Sequence, residues 1–423
     1  MSQPKLSTQA ITNSVGNEEL PRHRWYPIKE GFSAKLISDS IAEFQQNGRK
    51  SFLAIEPFSG SGTAPVECAR LGIDCLAFEV NPFLTFVGQA KLKQTDAVRF
   101  SAHSNIIIKG LKIPHQTPLE TYSTFCEGDG KDQWLFNRSV LRSFAGGWKA
   151  TKDCAPAERS LFRLALIRTA MDNCNAYPDG KCLRYKRLNS YDCFNSQSVI
   201  VQFENYVKMM KEDIEALPFR DRLSRIEQMD ARRLSSYWNK QKFDICITSP
   251  PYLNSFDYSD VYRPELFLGG YVTDNDQLMK LRLKTIRSHV QASWPPPVRN
   301  AYGAVFSKMF EKIKAKKDEL WSVHIPEMIQ AYFEDMECLL KSLKSKANKG
   351  AMVKIAVGTS AYAGVVVPVD LIIADIAENV GWLLKEVKVV RRLRSSGQLW
   401  KHEDQGKKVP KLRESIVILQ SGK

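Results

Sequence analysis

A hydroxyl, two prolines and an aromatic ring stand in a row at Ser249-Pro250-Pro251-Tyr252, preceded by Thr248 and the apolar run Phe243-Asp244-Ile245-Cys246-Ile247. A buried strand that stops at a short polar residue and two prolines makes a rigid, concave ledge. Each proline fixes φ and lacks an N–H, so carbonyls there point outward as acceptors. A hydroxyl, an exposed carbonyl and an aromatic face together suit a planar ring that carries an amino group. A strand closed by a plain Pro-Pro turn has the same local composition. The elements around the run decide between the two readings.

Upstream, Phe52-Leu53-Ala54-Ile55 reads as a buried strand, closed by Glu56-Pro57-Phe58-Ser59-Gly60-Ser61-Gly62-Thr63. A helix pattern follows, with Ala64, Val66, Cys68, Ala69 and Leu71 as its apolar positions and Gly72 just past its end. Gly60 and Gly62 let the backbone pass close to a ligand, and the helix behind them offers unpaired N–H groups. A second strand, Asp74-Cys75-Leu76-Ala77-Phe78, ends at Glu79, seventeen residues past Gly62. An acid at that place suits the two hydroxyls of a ribose. The turn has no lysine of a triphosphate-binding loop and lacks the third glycine of the dinucleotide fingerprint. A nucleoside-type cofactor without a pyrophosphate remains.

These segments resemble a known family. EPFSGSGT (56–63) and FEVNP (78–82) are similar to motifs I and II of the S-adenosylmethionine-dependent methyltransferases, and TSPPY (248–252) to the signature of the DNA amino-methyltransferases. HRWYPIKEGF (23–32) resembles motif X, MDARRL (229–234) motif III, and LNSFDYSDVYRPELFLG (253–269) the loop and helix that line the target-base pocket. The resemblance spans about two thirds of the chain. It implies an α/β, Rossmann-like class I methyltransferase fold: a mostly parallel seven-stranded sheet with a C-terminal antiparallel hairpin, plus a largely helical insertion. Residues 352–358 then read as a fifth strand, with 384–390 and 415–419 as the closing pair. It implies S-adenosyl-L-methionine as cofactor, held by Tyr26, Lys29, Glu56, Phe58, Ser59, Gly60, Gly62, Thr63, Glu79, Val80, Asn81, Asp230, Ala231 and Thr248. Glu56 departs from the family, where aspartate is commoner; its extra methylene shifts the contact while the charge is kept.

The same resemblance gives the ledge its chemistry. The exocyclic amine of cytosine is a poor nucleophile, because its lone pair is delocalised into the ring. Ser249 and the Pro250 carbonyl accept from that amine, Pro251 stiffens the ledge and Tyr252 stacks on the base. Positioning supplies most of the rate. The amine is hidden in a duplex, so the base is expected to flip out. Methylation at carbon 5 needs a cysteine nucleophile, usually as Pro-Cys, and that dipeptide is absent from the chain. Serine before Pro-Pro-Tyr is the form common in cytosine-N4 enzymes. An adenine-N6 enzyme, an RNA amino-methyltransferase and an inactive methylase-fold DNA-binding protein stay open as alternatives.

The formal charge is +15, from 61 Lys and Arg against 46 Asp and Glu. Such a balance favours a polyanionic partner, because neutralised phosphates release counterions. The cations come in bursts, and Arg184, Lys186, Arg187, Arg282, Lys284, Arg287, His289 and Arg394 are the candidate contacts to double-stranded DNA. Two insertions, 91–224 and 272–326, carry all of them but Arg394. They divide the catalytic domain into 1–90, 225–271 and 327–423. The second insertion lies nearer the ledge in sequence. Nine cysteines without a CxxC pair and six histidines without ligand spacing predict reduced thiols and no metal. No apolar run approaches the ~18 residues of a membrane span, and no secretory h-region opens the chain. The expectation is a cytoplasmic, nucleoid-associated prokaryotic protein, with a cognate restriction endonuclease or defence-system partner.

Overall fold

The computed structural model describes residues 14, 16–28, 31–46, 51–122, 124–128, 130–179, 182–219, 224–237, 241–393 and 411–422. Lys29, expected at the cofactor, and Arg394, a candidate contact to DNA, lie outside the described residues.

Seven strands form the main sheet: β1 (Leu53–Glu56), β2 (Asp74–Glu79), β3 (Ser224–Gln228), β4 (Phe243–Thr248), β5 (Ala347–Gly358), β6 (Trp382–Leu393) and β7 (Leu412–Ser421). Their order is β6-β7-β5-β4-β1-β2-β3. The five strands β1 to β5 are parallel, and β7 runs antiparallel between β5 and β6. This is the sheet of a class I methyltransferase, with the antiparallel C-terminal pair that the sequence implied. From β1 the chain winds outward through β2 and β3, then returns to the other side as β4 and β5. The winding reverses between β1 and β4, and a crevice opens there at the carboxyl ends of the strands.

Both faces of the sheet are covered, so its strands are apolar on both sides. Ala54, Ile245 and Ile247 pack with Ala64 and Cys68 of the helix Thr63–Leu71 and with Leu36, Ile37 and Ile41 of the helix Ala34–Gln46. Ile55 and Cys246, one residue out of phase, join the opposite core with the long helix Ile325–Lys346 and the helix Val369–Asn379. Residues of 272–326, among them Ile286, Phe306 and Phe310, sink into that same core.

The stretch 91–224 builds a third core from the helices Ala97–Leu111, Arg138–Ala150, Pro156–Asp172 and Ser196–Ala216. Leu161, Leu164, Ala165 and Ile167 of the helix Pro156–Asp172 are all buried in it. This bundle meets the sheet domain through the helix Pro82–Lys91. It also holds the N-terminal segment: Asp213 accepts from the Trp25 indole N–H at 2.7 Å and pairs with Arg24 at 2.6 Å.

Candidate active site

A cavity of about 960 Å³, open mouth included, lies at the carboxyl ends of β1, β2 and β4. The glycine loop forms its floor. Gly62 takes φ +88° ahead of the helix Thr63–Leu71, and a Cβ on it would stand 2.9 Å from the Gly88 Cα. Only glycine meets both demands. Across the loop, Glu79 is clamped: the Gly60 N–H donates to Oε2 and the Asn81 N–H to Oε1, each at 2.8 Å. Burial holds the Glu79 carboxyl above its ordinary range, against the pull of these donors. Each of its oxygens keeps a lone pair for a further donor. The buried Ser59 hydroxyl has no hydrogen-bond partner among the described residues, and Ser59 lines the same cavity.

Apolar surface completes this half of the cavity. Phe58, Val80, Leu84, Met229 and Ala231 line it, with Ile28 and Phe32 from the N-terminal segment. A carboxylate for two hydroxyls, an unpartnered hydroxyl and apolar walls fit a nucleoside joined to an amino acid. Tyr26 takes no part in this lining: it is buried, and its hydroxyl donates to Glu265 Oε1 at 2.7 Å. Among the described residues of the motif-X-like run, those at the cavity are Ile28, Gly31 and Phe32. Asp230 does line it, yet both of its oxygens are bonded to Arg232, the closest at 2.7 Å.

The ledge borders the same space. Ser249 and Pro251 line the cavity; Pro250 and Tyr252 are not among its lining residues. The Ser249 hydroxyl donates to the Ala356 carbonyl on β5 at 3.2 Å. Its hydrogen is thereby used, and its lone pairs are left as acceptors. Tyr252 instead lies against Gly358, where a Cβ would come within 3.1 Å of its ring, and its hydroxyl donates to Glu414 of β7. Glu414 is buried and also pairs with Arg391 of β6. The Leu253 carbonyl accepts from the hydroxyls of Ser360 and Tyr362, fixing the chain just past the ledge.

Glu56 corrects the expectation drawn from its charge. Fully buried, its Oε1 accepts from the Thr248 hydroxyl at 2.6 Å and from the Phe58 N–H at 2.8 Å. The extra methylene thus ties β1 to the end of β4. Burial pushes the carboxyl up to about 8, so it is mostly neutral at pH 7. In the unfolded chain it ionises near 4.5. Between those two values the folded protein keeps a proton that the unfolded chain releases, so stability is lost as pH rises through that window. Glu56→Gln, which mimics the protonated group, should therefore lose less thermal stability than the wild type between pH 6 and pH 9. Parallel melting curves against pH for the two proteins would refute the assignment.

No family model matches the chain. It is 24% identical to the Type II methyltransferase M.AvaI of a Nostoc species over 90% of this chain and 83% of that protein. Against the Type II methyltransferase M.BsoBI of Geobacillus stearothermophilus it is 24% identical, over 96% of this chain and 87% of the relative. Over nine tenths of its length the chain is thus similar to Type II methyltransferases. Its cofactor is S-adenosylmethionine. Among solved structures, TrmN from Thermus thermophilus aligns with 92% of this chain and 49% of its own, at 9% identity and a TM-score of 0.29. At that score the likeness carries no argument, and the fold rests on the strand order above.

The methyltransferase turns most of the second basic stretch inward. Arg287 is buried against Asp335 and Glu334, both at 2.7 Å. Arg282 pairs with Asp257 at 2.6 Å, and His289 is buried 3.9 Å from the same carboxylate. All three were expected at DNA phosphates; the two arginines instead neutralise acids brought to them by the fold, and burial pushes the His289 imidazole below its ordinary range, toward the neutral form. Lys284 lines the same cavity with Leu281, Thr285 and Ile286, beside Arg232, which donates to the Leu283 carbonyl at 3.2 Å. In the first insertion, Lys186 donates to the Cys174 carbonyl at 2.7 Å and lies over the Phe194 ring. Arg184 and Arg187 are exposed.

Tyr258, Ser259 and Tyr262 are among the cavity residues that were not singled out in the sequence. The signal was present in the quoted run 253–269, where two tyrosines four apart share one helical face. Nothing in the spacing marked 281–286, whose place depends on a contact with Arg232. No group of three or more His, Cys, Asp or Glu among the described residues could hold a metal ion. No helix among them is long and apolar enough to cross a membrane.

Proposed function

We propose that this methyltransferase transfers a methyl group to the exocyclic N4 amine of a cytosine flipped out of duplex DNA. The observation that carries the reading is the Ser249 hydroxyl, committed as a donor to Ala356 and so an acceptor toward the cavity it shares with Ser59 and Glu79. Such a group holds an amino edge and gives nothing to a carbonyl edge.

When bound, S-adenosylmethionine supplies the methyl group on its sulfonium. Glu79 is suited to the ribose hydroxyls, Ser59 and the glycine loop to the amino-acid end, and Phe58, Met229 and Ile286 to the adenine faces. Ser249 and the Pro250 carbonyl accept the two N–H bonds of the target amine and turn its lone pair toward the methyl carbon. No strong base is needed, because the proton can leave to water after transfer. A carbon-5 route lacks its nucleophile: Cys246, on the strand leading to the ledge, is fully buried and its thiol is held well above its ordinary range.

Tyr258 and Tyr262, which line the cavity, are the rings best placed to flank a planar base. Tyr252, expected for that task, would support the ledge from behind.

Incubation with methyl-labelled S-adenosylmethionine and unmethylated duplex DNA, single-stranded DNA or tRNA, followed by digestion to nucleosides, should give N4-methylcytosine from the duplex. N6-methyladenine, or label in RNA alone, would overturn the proposal. Ser249→Ala should lower kcat about 10- to 100-fold, the cost of an unmet buried hydrogen bond of ~1–3 kcal/mol, with the cofactor Kd unchanged. Full activity in that variant would remove Ser249 from the mechanism.

A further inference from the structure

We infer that a small β-ribbon, Ala176–Asp179 with Cys182–Tyr185, is the element that reads the DNA sequence, entering the major groove beside the pocket. The inference rests on the proposed function and says where its specificity lies. The two strands form an antiparallel sheet of their own, apart from the main sheet, with Tyr177 directly opposite Arg184. One face is anchored: Leu183 and Tyr185 pack against the core of the insertion. The other face carries Tyr177, 42% exposed, and Arg184, whose side chain is 66% exposed. A ring and a guanidinium thus stand side by side on the outer surface.

Position supports a reading role. The ribbon touches the short helix Tyr258–Val261, and Tyr258 and Ser259 of that helix line the cavity. A base drawn into the cavity would leave its neighbours beside the ribbon. The ribbon is also rigid at its root. The Asn175 N–H donates to the Leu135 carbonyl and the Lys186 N–H to the Asn175 carbonyl, each at 2.7 Å. The Asn175 side chain donates to Asn137 Oδ1 at 2.9 Å, and both residues are buried. A reader fixed in this way pays little ordering entropy on binding.

Chemistry gives the partner. A major groove about 12 Å wide admits a two-stranded ribbon, and arginine offers two donors to the O6 and N7 acceptors of guanine. The Arg184–Asp179 pair, 2.9 Å apart and exposed on both sides, holds the guanidinium loosely, so a base edge can replace the carboxylate. The rival stretch 272–326 spends Arg282 and Arg287 on internal acids and buries His289.

The test uses the full-length protein, a library of unmethylated random-sequence duplexes and sequencing of the methylated products. Wild type should mark a defined sequence. Arg184→Ala should relax at least one position of it, or lower kcat/KM on duplexes about tenfold, with the cofactor Kd and Tm unchanged; Tyr177→Ala should do the same more weakly. In the wild type, amides of 176–179 and 182–185 should gain protection from hydrogen exchange when duplex is added, a readout that needs no variant. Wild type marking a defined sequence, with both variants marking it at an unchanged KM and no added protection, overturns the ribbon's role and leaves the proposed function standing. A wild type that labels no duplex overturns both.

Discussion

Glu79→Ala should weaken S-adenosylmethionine binding by two to four orders of magnitude while the protein stays folded. The carboxylate sits at the end of β2 with both oxygens fixed by backbone donors, Gly60 N–H and Asn81 N–H. Two ribose hydroxyls donating to it would each make a charge-assisted bond of ~1.5–3 kcal/mol, together ~3–6 kcal/mol. Alanine removes both acceptors and also frees the Gly60 and Asn81 N–H groups, so the loop loses its clamp. Glu79→Gln keeps one acceptor oxygen and turns an NH₂ against a backbone donor, so it should fall between the two. Isothermal titration with the cofactor, alongside thermal melts, checks this. A Kd within threefold of wild type for Glu79→Ala would exclude the ribose assignment.

Arg287→Ala should cost about 3–5 kcal/mol of folding stability, the usual penalty for breaking a buried ion pair. The guanidinium reaches Asp335 Oδ1 through Nε at 3.1 Å and Nη2 at 2.7 Å, and Glu334 at 2.7 Å. The Arg287 backbone N–H meets the other Asp335 oxygen at 2.9 Å. Truncation leaves two carboxylates facing each other, with Arg232 the nearest remaining cation, 3.7 Å from Asp335. A phosphate contact behaves differently: its loss leaves stability within ~0.5 kcal/mol and lowers the salt slope of DNA binding by about one. Denaturant unfolding and a salt titration of duplex binding therefore separate the two roles. An Arg287→Ala protein of wild-type stability and reduced salt slope would restore the DNA contact.

The contrast between those residues explains what could be read in advance. That Gly60, Glu79 and Ser249 meet at one cavity was legible because their places follow from local order: strand, turn, helix, strand, and a polar residue at a strand end. The strands themselves were legible because apolar runs closed by turn residues have few other uses. The fate of a cation is different. Asp335 lies 48 residues from Arg287, and no spacing rule announces that the fold brings them together. Arg184 and Arg287 look alike in sequence; one is exposed and the other buried. Glu56 shows the same limit for acids. Its type suggested a charge, and burial beside Thr248 removed it.

The anchoring of Tyr252 bears on how the enzyme comes into being during synthesis. The ring rests on Gly358 of β5 and its hydroxyl on Glu414 of β7, the strand that slots between β5 and β6. A ribosome that has released residues 1–360 has already delivered the glycine loop, Glu79 and the ledge. It has not delivered the strand that steadies the ledge, so a nascent chain can acquire its cofactor pocket well before its ledge is braced. The bracing of the ledge therefore waits for the last strand of the sheet, Leu412–Ser421.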